Sequence, residues 1–144
     1  MECTEPLVSV VIPTRNRPHL VGRAVRSALA QTLDAIEVIV VVDGPDEATL
    51  QALRQIDDAR LRVKTLPRNL GPGEARNAGV GEAQSRWIAF LDDDDEWFPR
   101  NLRSNSKQHS SQAIFTQLLP AVSLLAVKWG ISCGHAGFRG RTNT

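Results

Sequence analysis

The sequence predicts an α/β fold built on a parallel sheet. Three observations lead there. Four apolar runs, at residues 7–12, 36–42, 61–66 and 87–91, alternate with segments whose apolar residues recur at helical spacing. The linkers between them are too short for anything but crossover units, which sets the strands parallel. The strands are also near-continuous in apolar character, as burial on both faces requires.

The first strand, LVSVVI at residues 7–12, is β-branched and closed by Pro13. From Pro18, which suits a helix's first turn, Leu20, Val21, Ala24, Val25, Ala28 and Leu29 recur with helical period. IEVIVVV, residues 36–42, is the second strand, stopped by Asp43-Gly44-Pro45. Asp46 is placed to cap a helix running to about Asp57, with Leu50, Leu53 and Ile56 facing inward. LRVKTL, residues 61–66, alternates with period two as a third strand. The loop PRNLGPG then leads into a helix at about Glu74–Gln84, and WIAFL, residues 87–91, is the fourth strand. Trp87 and Phe90 read as core, and Trp97 and Phe98 as packing beneath the acidic loop.

At 144 residues the chain is one domain or part of one. That length buries roughly 68–70% of the unfolded surface. The 42% hydrophobic and 23% charged residues are a globular balance, and a net charge of +1 gives no reason to expect a nucleic-acid partner. The start, MECTEPL, is acidic and lacks a signal peptide's basic region. Cys3 and Cys133 imply no disulfide framework and read as free thiols in a reducing compartment. The expected location is cytoplasmic, with a peripheral position at the inner face of the membrane left open. A span at 113–133 is interrupted by Gln117, Pro120 and Lys128, and its apolar runs fall short of the roughly 20 residues required.

The average charge hides a break. Residues 1–96 hold all 16 carboxylate side chains against 11 Lys and Arg, a net of −5; residues 97–144 hold six Lys and Arg and no Asp or Glu. Two regions are therefore expected: 1–102, an α/β region, and 103–144, a tail of divergent or frame-shifted character. The tail should be loosely ordered or partly helical, at about 112–127.

Each strand runs out into a polar segment. Thr14-Arg15-Asn16-Arg17 comes after the first, Asp43 after the second, Arg68-Asn69 after the third and Asp92 to Asp95 after the fourth. Ligands of open parallel sheets bind outside the carboxyl ends of the strands, so this topology gathers the clusters into one site.

FLDDDDEW, residues 90–97, is the most demanding motif. A helix start uses one capping carboxylate; five neighbouring ones exceed that need. They suit a hard cation, Mg²⁺ or Mn²⁺, held by one or two carboxylates together with substrate phosphates. Alternate residues of an extended segment share a face, which pairs Asp92 with Asp94. The glycine and distal glutamate of a calcium EF-hand are missing. NLGPGEARNAG, residues 69–79, follows the third strand and lacks the G-x-G-x-x-G spacing, and there is no P-loop. It does place Arg76 and Asn77 one turn inside a helix whose N-terminus faces the ligand edge, where an anion is favoured. Arg15 and Arg17 can serve the same anion, and Asp43 can accept from a base N–H or ribose hydroxyls. His19, His109 and His135 have no metal-ligand spacing and read as structural or exposed.

VSVVIPTRNRP, EVIVVVDGPDEAT, NLGPGEARNAG and WIAFLDDDDEW, in this order and spacing, resemble the family 2 glycosyltransferases of the GT-A fold. The resemblance covers residue 7 to about 102. It implies a Rossmann-like nucleotide-binding half-domain and transfer of a sugar from a nucleotide-diphosphate donor, commonly with inversion. By this resemblance Pro13, Thr14 and Arg15 line the base pocket, Asp43 holds the base or ribose, and Arg76 contacts the nucleotide. The D-x-D motif maps on Asp92-Asp93-Asp94, with Asp92 near the ribose and also a metal candidate, and Asp94 on the metal. Asp93 and Asp95 stay candidates, because four aspartates allow the register to slip by one. Many relatives carry two aspartates where this chain has Val42-Asp43.

Family members usually continue for a hundred or more residues that bind the acceptor and supply a general-base carboxylate. After Glu96 this chain has no carboxylate side chain. The expectation is a glycosyltransferase donor half that is weakly active or inactive alone, with a saccharide, lipid or protein acceptor unspecified. The alternatives are a non-catalytic nucleotide- or metal-binding module and a decayed fragment. A phosphatase is disfavoured, because its D-x-D normally follows the first strand.

Overall fold

The structure, a computed structural model, describes residues 5–104 and 114–117. Strands and helices alternate as β1 Val8–Thr14, α1 Pro18–Leu29, β2 Ile36–Val42, α2 Glu47–Arg54, β3 Leu61–Thr65, α3 Pro72–Glu82 and β4 Trp87–Phe90, then a single turn α4 Asn101–Ser104 and β5 Ile114–Gln117. The sheet order is β3-β2-β1-β4-β5. The first four strands are parallel, as the alternation predicts, and β5 runs antiparallel to β4.

Each apolar strand divides its residues between two cores. Val8, Val10 and Ile12 of β1 and Ile36, Val38, Val40 and Val42 of β2 pack with Val21, Ala24, Val25 and Ala28 of α1 and Leu53 of α2. On the opposite face Ile39 and Val41 meet Ala75 of α3, with Ala78 against them. Helices thus cover both faces of the sheet, and this is why β1 and β2 carry no polar stripe. The approach of α3 is close enough to require Gly79, where a Cβ would collide with Val11 Cγ1.

Several local expectations are corrected. Pro13 does not close β1; it lies within it, opposite Val41. Along β1, Thr14 O accepts from Asp43 on the β2 side and Val11 O from Leu91 on the β4 side. Pro13 shares Val11's orientation and sits beyond the end of β4, so no ladder partner needs its missing N–H. The α3 helix begins at Pro72, two residues earlier than expected, because proline at N1 costs no hydrogen bond. Trp87 is exposed rather than core, since it opens β4 at its amino end. Trp97 is buried but Phe98 is 80% exposed. Of the partial helix expected at 112–127, residues 114–117 are instead a strand on the edge of β4. β-Branched and aromatic residues there favour that pairing. Cys3, Cys133, His109, His135 and the rest of the tail lie outside the described residues.

Glu37 interrupts the apolar run of β2 yet is buried, and its hydrogen-bond partners explain why. It accepts from Ser9 Oγ at 2.5 Å, Gln84 N at 2.7 Å and Arg62 Nη1 at 3.1 Å. A buried carboxylate is tolerable when so partnered. The network fastens the end of α3 to β1, β2 and β3, at the edge opposite the polar clusters. No helix among the described residues is long and apolar enough to cross a membrane.

Candidate functional site

The carboxyl ends of the parallel strands surround a cavity of about 530 Å³. Of the residues singled out from the sequence for nucleotide or metal, its lining contains Pro13, Thr14, Arg15, Asp43, Arg76, Asp92, Asp93 and Asp94, but not Asn77. Arg17, Asn69, Gly71, Pro72 and Ala75 complete the wall. Asp95 is not on it. The turn closed by Asp95 N donating to Asp92 O turns Asp95 aside.

The acidic loop is held by charge pairing. Asp93 is buried, with Thr14 Oγ1 donating to its Oδ2 at 2.8 Å and Arg17 Nη1 donating to its Oδ1 at 2.9 Å. The same Arg17 nitrogen reaches Asp94 Oδ2 at 3.3 Å. Arg76, from the second turn of α3, donates to Asp92 Oδ1 at 2.6 Å. Asp92 and Asp94 are exposed, and each keeps one oxygen without a protein partner among the described residues. Beside Asp93 and Asp94 the Arg17 guanidinium is held even more firmly protonated than usual. Burial, then the charges of Asp94 and Asp92, push the Asp95 carboxyl above its ordinary pKa.

Asp43, at the end of β2, is 5% exposed. Its carboxylate accepts from Leu70 N at 2.7 Å and Gly71 N at 2.9 Å. It therefore shapes the loop before α3 as well as lining the cavity. Gly71 has φ +92°, a conformation that favours glycine, at the N-cap of α3. Asp46 has a double task of the same kind. One oxygen caps α2 through Thr49 N at 3.1 Å, and the other takes Asn16 N at 2.7 Å. Partial burial raises its pKa, but the bonds from Thr49 and Asn16 prevail and hold it below the usual carboxylate value. The bond to Asn16 fixes the loop between β1 and α1, where Asn16 has φ +52°.

Among the described residues no three His, Cys, Asp or Glu side chains are grouped so as to hold a metal by themselves. The donor set nevertheless fits a divalent cation shared with a ligand. Mg²⁺ commonly takes only one or two carboxylates and fills the remaining positions with phosphate and water. Asp92 and Asp94 present free oxygens to the cavity, and the chemistry is all oxygen.

Four loops from four parallel strands thus meet on one cleft lined by arginines and aspartates, and residues 9–108 match the family model described as glycosyl transferase family 2. The chain belongs to that family. Among its relatives, the succinoglycan biosynthesis protein ExoO of Rhizobium meliloti is 47% identical over 98 residues, which are 68% of this chain and 28% of that protein. Escherichia coli WfgD, named as a UDP-Glc:alpha-D-GlcNAc-diphosphoundecaprenol beta-1,3-glucosyltransferase, is 33% identical over 96 residues, 67% of this chain and 38% of that one. Among solved structures, S. aureus TarS 1-349 in complex with UDP-GlcNAc superposes with a TM-score of 0.64 at 29% identity, over 69% of this chain and 30% of that chain. The chain spans only about a third of the length of such relatives. The fold of this family 2 member is the GT-A fold of those neighbours.

Sequence reading placed Asn69 in the gathered site but missed Gly71, Pro72 and Ala75 as cavity wall, although all stand in the loop and helix start after β3. It named Arg17 as an anion binder and did not foresee its contacts to Asp93 and Asp94.

Proposed function

We propose that the chain is the donor-binding part of a glycosyltransferase, taking a nucleotide-diphosphate sugar together with Mg²⁺ or Mn²⁺. One observation carries the reading: Asp92, Asp93 and Asp94 share a single cavity with Arg76, Asp43, Thr14 and Pro13 at the carboxyl edge of the sheet. Asp94, with Asp92, would hold the cation, and Asp92 and Asp43 would meet the ribose and base. Pro13, Thr14 and Arg15 would border the base, and Arg76 the nucleotide. When bound, a divalent cation would offset the negative charge developing on the diphosphate leaving group. Asp93 is assigned to holding the loop through Thr14 and Arg17. Solved neighbours with UDP-GlcNAc and with GDP-Man and Mn²⁺ support this class of donor.

Inverting transfer needs a general base at the acceptor hydroxyl. We place that base, and the acceptor site, outside this chain as it stands, because no Asp or Glu follows Glu96. The chain alone is then weakly active or inactive. Calorimetry with UDP and GDP, with and without Mn²⁺ or Mg²⁺, tests the proposal. Affinity that rises with metal supports it, and equal affinity with and without metal overturns the metal assignment. No affinity for either nucleotide would favour the alternative of a decayed fragment.

A further inference from the structure

Consecutive aspartates repel one another, and here one nitrogen holds two of them. Arg17 Nη1 lies 2.9 Å from Asp93 Oδ1 and 3.3 Å from Asp94 Oδ2. The two contacts differ in character. Asp93 is buried and has a second anchor in Thr14, so its contact with Arg17 is the fixed one. The Asp94 side chain is 55% exposed and has no other protein partner among the described residues, so its contact is free to break. Arg17 itself is half-exposed on the cavity wall, and its Nε and Nη2 groups have no protein partner among the described residues. A guanidinium carries five N–H donors, and most of these remain free to meet an anion.

We propose that Arg17 is a positioning residue of the donor cleft, holding Asp94 in the nucleotide-free protein and turning to the donor diphosphate when Asp94 takes a divalent cation. The inference rests on the donor-binding reading above. A dication on Asp94 and a guanidinium on the same carboxylate repel, so each competes for that carboxylate while the cavity holds no anion. A diphosphate reverses this by offering Arg17 a charge-assisted partner of its own. Metal and nucleotide then help each other through Arg17, and the coupling is reciprocal. Arg17 keeps its bond to Asp93 throughout, which sets the hinge about which its other donors swing.

The experiment measures Mn²⁺ affinity from the electron paramagnetic resonance of free Mn²⁺, with and without UDP or GDP, and nucleotide affinity by calorimetry. In Arg17→Gln, binding of Mn²⁺ alone should tighten roughly two- to fivefold, the value of a partly exposed ion pair. Nucleotide affinity at saturating Mn²⁺ should fall about tenfold. These opposite signs are what a merely structural arginine would not produce. Weaker or unchanged binding of Mn²⁺ alone in Arg17→Gln would overturn the inference. If that variant does not fold, Arg17→Lys serves, since it keeps the charge but lacks the Nε and Nη2 donors that would reach a diphosphate while Nη1 stays on Asp93. It should show the same two signs at smaller size, and Arg17→Lys matching the parent in both affinities would equally overturn the inference. Equal nucleotide affinity with and without metal in the unsubstituted protein is a different result, which removes the metal assignment, and absence of any nucleotide affinity removes the donor-binding reading itself.

Discussion

Thr14 Oγ1 donates to Asp93 Oδ2 at 2.8 Å, tying the last residue of β1 to the acidic loop beyond β4. Both residues are buried, and the two strands are neighbours in the sheet, so the loop's position is built into the core. Thr14→Val keeps the shape but leaves the Asp93 oxygen short of a donor. We expect a loss of about 1–3 kcal/mol in urea unfolding, the cost of an unsatisfied buried acceptor. Thr14→Ser should restore most of it, and equal stability of the Val variant would show that water replaces the hydroxyl.

Asp94 and Asp43 should fail in different ways. Asp94→Ala removes a proposed metal ligand, so the gain in nucleotide affinity on adding Mn²⁺ should shrink by about tenfold or more. Asp43→Ala should weaken nucleotide binding with or without metal, because the loop at Leu70 and Gly71 loses its acceptor. Calorimetry of both variants, with and without Mn²⁺, separates the two. Identical profiles would contradict the division of labour.

The strand series and the gathering of the site were legible because they depend on period and order, which a sequence displays directly. Thr14, Asp43 and the aspartates could be found from their places at the strand ends and Arg76 from a helix facing that edge, whereas Pro13 came only with the family resemblance. Their pairing could not. That Arg17 reaches Asp93 while Arg76 reaches Asp92 depends on where the β1–α1 loop and α3 stand in space. The exposure of Trp87 was hidden for a related reason, since an apolar residue at a strand's first position resembles core until the sheet's edge is known. The strand at 114–117 was unreadable because it pairs with a distant partner and has no local turn signal.

Gly79 should be intolerant of even one methyl group. A Cβ there would strike Val11 Cγ1 and approach Val41 Cγ2 to 3.2 Å, both on the sheet beneath α3. Gly79→Ala gains helix propensity but overpacks, and a net loss of about 1–3 kcal/mol is expected. Pairing it with Val11→Ala should return part of that loss, a coupling that a double-mutant cycle measures. Additive losses would mean that α3 shifts rather than pressing on Val11.

Asp95 carries charge at a cost in the metal-free protein. Its folded-state pKa is raised, by burial first and then by Asp94 and Asp92. Its contribution to stability is therefore present below its unfolded pKa and lost as pH rises through the folded value. Asp95→Asn should raise the thermal midpoint at neutral pH, by up to about 0.5 kcal/mol in stability. The advantage should vanish as pH falls through the carboxylate range. A variant less stable than the parent at neutral pH would show that Asp95 has a favourable partner that outweighs the repulsion.

Transfer itself should be absent, or far below a family-like rate, in this chain alone. The reaction needs a bound donor, an oriented acceptor and a base within hydrogen-bond reach of the acceptor hydroxyl. The cleft offers residues for the first of these. For the base, the carboxylates of the acidic loop are poor substitutes. Asp93 is engaged on both oxygens, and Asp92 and Asp94 each spend one on an arginine beside the proposed diphosphate position. Loss of a general base costs about 10²–10⁴-fold, and an unoriented acceptor adds to that. Water is small enough to enter without an acceptor site, so slow metal-dependent hydrolysis of the donor is the activity to expect. Incubation with several nucleotide sugars and a mixed panel of saccharide, lipid and protein acceptors, read by mass spectrometry, measures both. Multiple turnovers to any acceptor would place a base and an acceptor site within these 144 residues.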